Sequence, residues 1–512
     1  MNKGNFYITT PIYYPSGAPH MGHAYSSIFA DVFARFKRND NYKVFFLTGT
    51  DEHGLKIQKA AEKNNSKPLE YCDKISRVFK DLTKKLNLSN DDFIRTTEQR
   101  HHKAVNDLWN KLVDSGDIYL SKYKGWYSVS DEAYYNSDEV IEKNGKKILT
   151  FSGSLVEWVE EDSFFFKLSA WEKKLLDFYE KNNNFILPTS RKNEVINFVK
   201  SGLKDLSVSR TSFTWGIRVP NDKKHVIYVW LDALTNYLSA LKYPDTKNIL
   251  YKNFWPASLH IIGKDILRFH AIYWPAFLLA ADIKPPKRVF GHGWILSGEE
   301  KMSKSKGNIL NPIEVIDKYG IDELRYYLMK EVSHGSDGNI SLSNLEKCIN
   351  SDLANNYGNL CQRVFSFIKN NCNNEVKKTK NLSKADKDLI SKSNALTKDL
   401  RSFMDNQNLN SYIKSVIDIS FLTNKYINDE EPWKLKKNNI EKMNNILHIA
   451  LEQIAKISIL LNPIIPISSL KIIEALNIDK KNINLSFLDG NKIIKDKIKI
   501  KEAGILFKKI TQ

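Results

Sequence analysis

Two histidines three residues apart, His20 and His23, flank Gly22 in the stretch YITTPIYYPSGAPHMGHAY. On a helix they share one face. At a helix N-terminus, where unpaired backbone N–H groups already favour an anion, two imidazoles add donors for phosphate oxygens. A glycine between them removes a side chain, so a flat base could approach closely. Three readings stand open on these residues alone: a metal pair, a phosphate cradle, or an ordinary packed helix start. A zinc site would need further ligands, and no H-E-x-x-H or cysteine cluster supplies them. A second stretch, EEKMSKSKGNILNP (299–312), sets Lys301, Lys304 and Lys306 among two serines and a glycine. It reads either as a solvated basic loop or as a mobile loop whose ammonium groups clamp a polyphosphate.

These residues need elements to position them. An apolar run from Phe6 to Ile12 reads as a strand that breaks at Pro11, Pro15, Gly17 and Pro19. From Tyr25, apolar residues at 25, 28, 29, 32, 33 and 36 form one helical face that ends in KRNDN. VFFLTGTDEHG (44–54) then reads as a buried parallel strand with polar residues at its carboxyl end. Strand, helix and strand with functional loops at the strand ends predict a doubly wound, Rossmann-like α/β domain. From about Gly116 to Lys224, alternating stretches such as KGWYSVSDEAYY, KILTF and LVEWVEEDSFFFKL read as hairpins of a β-rich insertion. VIYVWLD (226–232), LHIIGKD (259–265) and RVFGHGWIL (288–296) are strand candidates that resume the α/β pattern. From Ser351 to about Leu476 the pattern is helical and rich in lysine and asparagine.

Composition bounds the class. A chain of 512 residues exceeds one core, and 42% hydrophobic with 27% charged residues describes a soluble globular protein. The excess of 77 basic over 59 acidic residues, a net +18, permits a polyanionic partner such as nucleic acid. Four cysteines without a C-x-x-C pair argue against a disulfide framework or zinc knuckle and fit a reducing compartment. With the first strand beginning near Met1 and no run of eighteen apolar residues, a cytoplasmic location is expected.

PHMGH followed by KMSKS in an α/β chain resembles the HIGH and KMSKS signature pair of the class I aminoacyl-tRNA synthetases. The strings ITTPIYYPSGAPHMGHAY, FLTGTDEHGLKI, YVWLDALTNYL, IIGKDILRFHAIYWPA, FGHGWILSGEEKMSKSKGN, NLCQR and EPWKL resemble the methionyl-tRNA synthetase family in its bacterial or organellar form. The resemblance implies an ATP-dependent ligase that forms methionyl-adenylate, releases pyrophosphate, and charges the 3′-terminal adenosine of initiator and elongator tRNA(Met). It implies catalytic roles for His20, His23, Lys301 and Lys304. It implies an ATP site of His20, Gly22, His23, Gly263, Asp265, the Ile295 backbone, Lys301 and Lys304. It implies a methionine site of Ile12, Tyr14, Asp51, Trp230, Ala233, Leu234, Tyr237, His270 and Trp274, with Asp51 holding the α-ammonium. Asn359, Arg363 and Trp433 match the family's anticodon readers, and Arg210 matches an arginine that approaches the substrates. The implied domains are a first catalytic half (1–115), a connective insertion (116–224), a second catalytic half (225–295), a KMSKS and stem-contact region (296–350), and an all-α helical-bundle anticodon domain with its tail (351–512).

The chain departs from many members of that family in its insertion. Ser128, Asp131, Thr150 and Gly153 occupy the positions expected of zinc ligands, and none makes a plausible zinc site. The expectation is ATP with Mg2+ but no structural zinc, in a knuckle held by Trp126, Tyr127, Trp158 and the FFF run. The sequence shows no dimerising module after AGILFKKI, so a monomer is expected. Two rivals remain: another class I synthetase or nucleotidyltransferase, and a catalytically dead RNA-binding paralogue.

Overall fold

The computed structural model describes residues 2–128, 133–135, 137–150, 152–297, 300–301, 311–379 and 381–511. The chain divides into an α/β unit, Asn5–Pro19 with Phe45–His292, and a helical unit, Met1–Gly4 with His20–Val44 and Gly293–Gln512.

The first strand, β1 (Asn5–Tyr13), is longer than its sequence suggests, because the break expected at Pro11 does not occur. Its parallel ladder to the next central strand is recorded at Ile8–Leu259 and Thr9–His260, upstream of Pro11, so the missing N–H removes none of those bonds. Residues 14–20 lead to helix α1 (Met21–Asn39), which starts where the histidines predicted and buries the whole face from Tyr25 to Phe36. Strand β2 (Lys43–Thr50) follows, buried from Phe45 to its end.

The α/β unit is built on a six-stranded sheet. With β3 (Asp92–Arg95), β4 (Ile186–Leu187), β5 (Leu259–Gly263) and β6 (Val289–His292), its order is β3-β2-β1-β5-β6-β4. The ladders β2–β3, β1–β5, β5–β6 and β6–β4 are parallel. Chain order reverses between β1 and β5, the switch point where such sheets open a crevice beyond their carboxyl ends. Ile12 and Tyr14, Asp51 to Gly54, and Gly263 to Asp265 all lie at those ends.

The insertion is β-rich as expected. Its main antiparallel pair joins Ile118–Ser128 to Glu157–Phe166, and the cross-strand pair Trp126–Trp158 meets edge to face at 5.3 Å. A second hairpin pairs Val140–Lys143 with Lys146–Leu149 around Asn144 and Gly145. Both turn residues have positive φ, 54° and 72°, which explains an Asn-Gly pair there. Of the four expected zinc-ligand positions, Asp131 lies outside the described residues. Among those described, no group of three or more His, Cys, Asp or Glu side chains could hold a metal ion. The insertion also carries what its sequence did not reveal: helices Glu172–Lys181 and Thr189–Lys200, and β4, which joins the parallel sheet.

One predicted strand divides between a short strand and a helix. VIYVWLD does not enter the parallel sheet: Asp222–Ile227 pairs antiparallel in a small side sheet, and α2 (Val229–Leu234) begins two residues later. Local β-propensity is overridden by burial, since every residue of α2 is buried. RVFGHGWIL likewise splits, with β6 in the main sheet and Ile295–Ser297 in a three-stranded sheet of the helical unit.

In the helical unit, α3 (Asn359–Asn371), α4 (Leu409–Glu430) and α5 (Ile440–Leu461) form the bundle. Asp31 of α1 is tied into this unit by Arg325 at 2.7 Å, whose guanidinium also donates to the Ile464 and Pro463 carbonyls. Among the described residues, no helix is long and apolar enough to cross a membrane.

Candidate active site

The loop after β2 is held residue by residue. Asp51 is 2% exposed, and its N–H donates to the Tyr13 carbonyl at 2.9 Å, joining the loop to the end of β1. Glu52 is wholly buried and turns the other way. Arg95 reaches it through two nitrogens, at 2.7 and 3.0 Å, and Thr50 and Thr97 donate to it at 2.7 and 2.6 Å. Glu52 is therefore a saturated structural carboxylate, whereas Asp51 lies at the switch-point end of the sheet.

An aromatic wall stands on α2. Tyr228, Val229, Trp230 and Ala233 form one buried cluster, against which Ile12, Tyr14, Ile266 and Phe269 pack. Trp230 and Phe269 lie face to face, ring centroids 3.4 Å apart and 6° from parallel. The expected residues 230, 233, 234 and 237 follow helical spacing, and Tyr237 falls in the next short helix, Asn236–Ser239. That spacing was the signal against a strand.

Behind the wall lies a second group. His270 sits in a π-helical turn, Phe269–Tyr273. Its Nδ1 faces the Ile266 carbonyl at 3.0 Å and its Nε2 the Tyr237 hydroxyl at 2.7 Å. A carbonyl only accepts, so Nδ1 carries the proton and Nε2 accepts from Tyr237. Burial pushes the His270 pKa down to about 4, which keeps the ring neutral. His260, under the Tyr237 ring at 4.1 Å and bonded to Thr9 at 2.7 Å, is pushed well down by burial and by His270. Trp274 is wholly buried, 6.2 Å from Tyr237 and 6.3 Å from Trp255, and packs in the main core. The expected methionine residues thus divide into a wall (Ile12, Tyr14, Trp230, Ala233), a core backing (Leu234, Tyr237, His270, Trp274) and the Asp51 loop. Phe269, Ile266, Tyr228 and His260 join them without having been expected. Phe269 precedes His270 and could have been found from that alone.

At β5, the exposed Asp265 carboxylate folds back over the strand end, its Oδ1 2.5 Å from where a Cβ on Gly263 would sit. Arg210 is 1% exposed, lies 3.7 Å over the Tyr228 ring and donates to Ser207 and the Ser209 carbonyl at 2.6 Å each. It is held from the insertion against the wall's first residue.

In the helical unit, the two histidines of PHMGH cap α1. His20 Nδ1 accepts from the Gly22 N–H at 3.1 Å, and His23 Nδ1 accepts from the His20 N–H at 3.0 Å. The pair is a reciprocal capping box made of imidazoles, with the rings stacked at 3.8 Å. Both Nδ1 atoms accept, so in the neutral rings both protons sit on Nε2, as donors. Gly22 has a reason the sequence did not suggest: a Cβ would meet the His20 ring at 3.0 and 3.1 Å. Ile295 is 6% exposed in a strand parallel to Gly338–Ile340 and antiparallel to Glu300–Lys301. The Lys301 side chain and all of Lys304 and Lys306 lie outside the described residues.

Asn359 and Arg363 open α3, preceded by a π-helical stretch, Ile349–Gly358. Arg363 donates to Asn428 Oδ1 at 2.8 Å, and its guanidinium lies 5.8 Å over the ring of Trp433, which is 41% exposed.

Comparison with known proteins agrees with this geometry. Residues 6–147 and 144–365 match the family model described as tRNA synthetases class I (M), so the α/β fold and its switch-point site are of the class I synthetase type. Residues 376–512 match the anticodon binding domain of methionyl tRNA ligase. A methionine–tRNA ligase of Rickettsia typhi is 48% identical over 512 residues, covering 99% of this chain and 100% of that protein. One of Brucella suis is 48% identical over 476 residues, covering 93% and 92%. The solved structure of Mycobacterium tuberculosis methionyl-tRNA synthetase with methionyl-adenylate aligns at a TM-score of 0.96 and 41% identity, covering 98% of this chain and 99% of that one. The chain belongs to the methionyl-tRNA synthetase family.

Proposed function

We propose that the protein activates L-methionine with Mg2+-bound ATP and transfers the methionyl group to tRNA(Met), initiator and elongator alike. The observation that carries this reading is the packing of Ile12, Tyr14, Trp230 and Ala233 with Phe269 as one wall at the switch-point end of the sheet. A polarizable thioether gains from ring contacts, and a dry aromatic wall suits it. Asp51 holds the α-ammonium by a charge-assisted contact, and Leu234, Tyr237, His270 and Trp274 back the wall. The neutral His270 and its bond from Tyr237 present no charge to an uncharged side chain.

On the ATP side, His20 and His23 donate from Nε2 to phosphate oxygens, with the α1 N-terminus adding its backbone dipole. Gly22 and the Ile295 backbone serve the adenosine, Gly263 and Asp265 the ribose, and Lys301 and Lys304 the phosphates. The methionine carboxylate attacks the α-phosphorus, the bond to the bridging oxygen breaks, and pyrophosphate leaves. Positioning and charge stabilisation account for the acceleration, because no side chain becomes a covalent nucleophile. The terminal adenosine hydroxyl of the tRNA then displaces AMP from the adenylate.

Asn359, Arg363 and Trp433 address the anticodon, Trp433 by stacking an unpaired base. The fold needs no structural zinc, and the protein works as a cytoplasmic monomer. The relatives named methionine–tRNA ligase and the methionyl-adenylate in the M. tuberculosis structure support the reading. Methionine-dependent ATP–pyrophosphate exchange tests it: exchange with methionine and with no other amino acid is expected, and exchange driven by leucine, isoleucine or valine would reject it. Metal analysis of the purified protein tests the zinc statement, and sedimentation the monomer.

A further inference from the structure

The α/β unit contains one connected set of buried polar groups that the reading above does not use. Asp232, wholly buried on α2, meets His53 Nδ1 through Oδ2 at 2.7 Å and His101 Nε2 through Oδ1 at 2.7 Å. His101 Nδ1 continues to Ser239 Oγ at 2.9 Å. A carboxylate only accepts, so both imidazoles donate to it. Burial alone would raise the Asp232 pKa, but His53 and His101 together hold it well below the usual carboxylate range. His53 is 3% exposed, with the Trp215 ring edge-on at 5.5 Å.

The placement of the two ends gives this set its significance. His53 stands two residues after Asp51 in the loop beyond β2, and Asp232 stands between Trp230 and Ala233 on α2. Glu52, between Asp51 and His53, is anchored to Arg95, Thr50 and Thr97. The loop therefore has one residue for each direction: Asp51 at the switch-point end of the sheet, Glu52 on β3's end, His53 on α2. We propose that His53 and Asp232 are positioning residues that tie the ammonium-binding loop to the helix bearing the thioether wall and so set the span a bound methionine must fill. The proposal rests on the assignment of the α-ammonium to Asp51. A hydrogen bond to a buried carboxylate fixes direction as well as distance, which apolar packing between loop and helix would not.

The test measures methionine-dependent pyrophosphate exchange in the full chain, with thermal unfolding followed in parallel. His53→Leu removes the donor and is expected to raise the methionine KM about tenfold or more, with the ATP KM within about twofold. His53→Asn places an amide nitrogen near the position of Nδ1 and is expected to recover most of that loss. A methionine KM unmoved by His53→Leu, equal rises for methionine and ATP, or no recovery with Asn would each overturn the proposal. If His53→Leu does not fold, Asp232→Asn decides: a selective rise in methionine KM supports the tie, an unchanged KM refutes it, and failure to fold makes the set a folding element only. Asp51→Asn separates the two levels. If that variant binds methionine normally, the underlying assignment fails; if it is impaired while His53→Leu is silent, only the tie fails.

Discussion

Trp230 and Trp433 show two ways of using one side chain. Trp230 is 7% exposed and faces Phe269 at 3.4 Å, inside a wall backed by neutral histidines and tyrosines. Trp433 is 41% exposed, with the Arg363 guanidinium 5.8 Å over its ring. In the proposed function the α/β unit recognises a small molecule by enclosure, so its specificity depends on buried groups being satisfied in advance. The helical unit in that proposal offers a face to a large polyanion, so its specificity depends on what stacks there.

The largest expected effect concerns those buried groups. His270 is held at a pKa of about 4, and His102 is pushed to about 4 by burial and by His53. Between pH 6.5 and 4 the unfolded chain binds a proton at such a site and the folded chain does not, so stability falls as pH falls through that window. For His270, which is 3% exposed, the loss over the full window is about 3 kcal/mol. Hydrogen exchange at pH 7 and pH 5, corrected for intrinsic rates, should show Leu259–Gly263 and Trp274–Ala280 losing more protection than Leu409–Glu430. Equal losses in both units would break the contrast.

Next in size is Asp51→Asn. Removing the charge at the buried loop should lower methionine kcat/KM in the exchange reaction about 100-fold, since charge-assisted contacts contribute about 1.5–3 kcal/mol. The binding of tRNA, measured without methionine, should not move. A loss confined to ATP would reassign the residue.

How much of this contrast could be read beforehand depends on sequence distance. The α1 cap, the buried face of α1, the β2 loop and the Asn359–Arg363 pair are local patterns, and each stands where the residues indicated. Asp232 meets His53 and His101 across 179 and 131 positions, and no spacing announces such contacts. The helix at 229–234 was hidden because V, I, Y and W carry strand propensity, although the 230, 233, 234, 237 spacing pointed to a helix. β4 is two residues long, too short for any alternation to show. The closeness of the His20 ring to Gly22 could not be read beforehand, because it depends on a rotamer choice and not on a sequence pattern.

On the helical side, Trp433→Ala should reduce tRNA charging kcat/KM about 30-fold, the mid-range of a lost base stack, with methionine-dependent exchange within about twofold of the unaltered protein. A matching loss in exchange would mean that Trp433 supports the fold and not the anticodon, and the contrast with Trp230 would disappear.

The smallest effect gives the finest discrimination. Arg363→Lys keeps a positive charge over Trp433 but loses the planar fork that donates to Asn428 at 2.8 Å. If Arg363 reads a base edge, charging kcat/KM should fall about threefold to fivefold, as for loss of one exposed directional contact, and the salt dependence of charging should keep its slope. If Arg363 instead neutralises a phosphate, lysine would serve nearly as well, and only Arg363→Ala would weaken charging and flatten that slope. A lysine variant with full activity, together with an alanine variant of shallower salt dependence, would move Arg363 from sequence readout to backbone positioning. Trp433 would then be left to read the anticodon with Asn359.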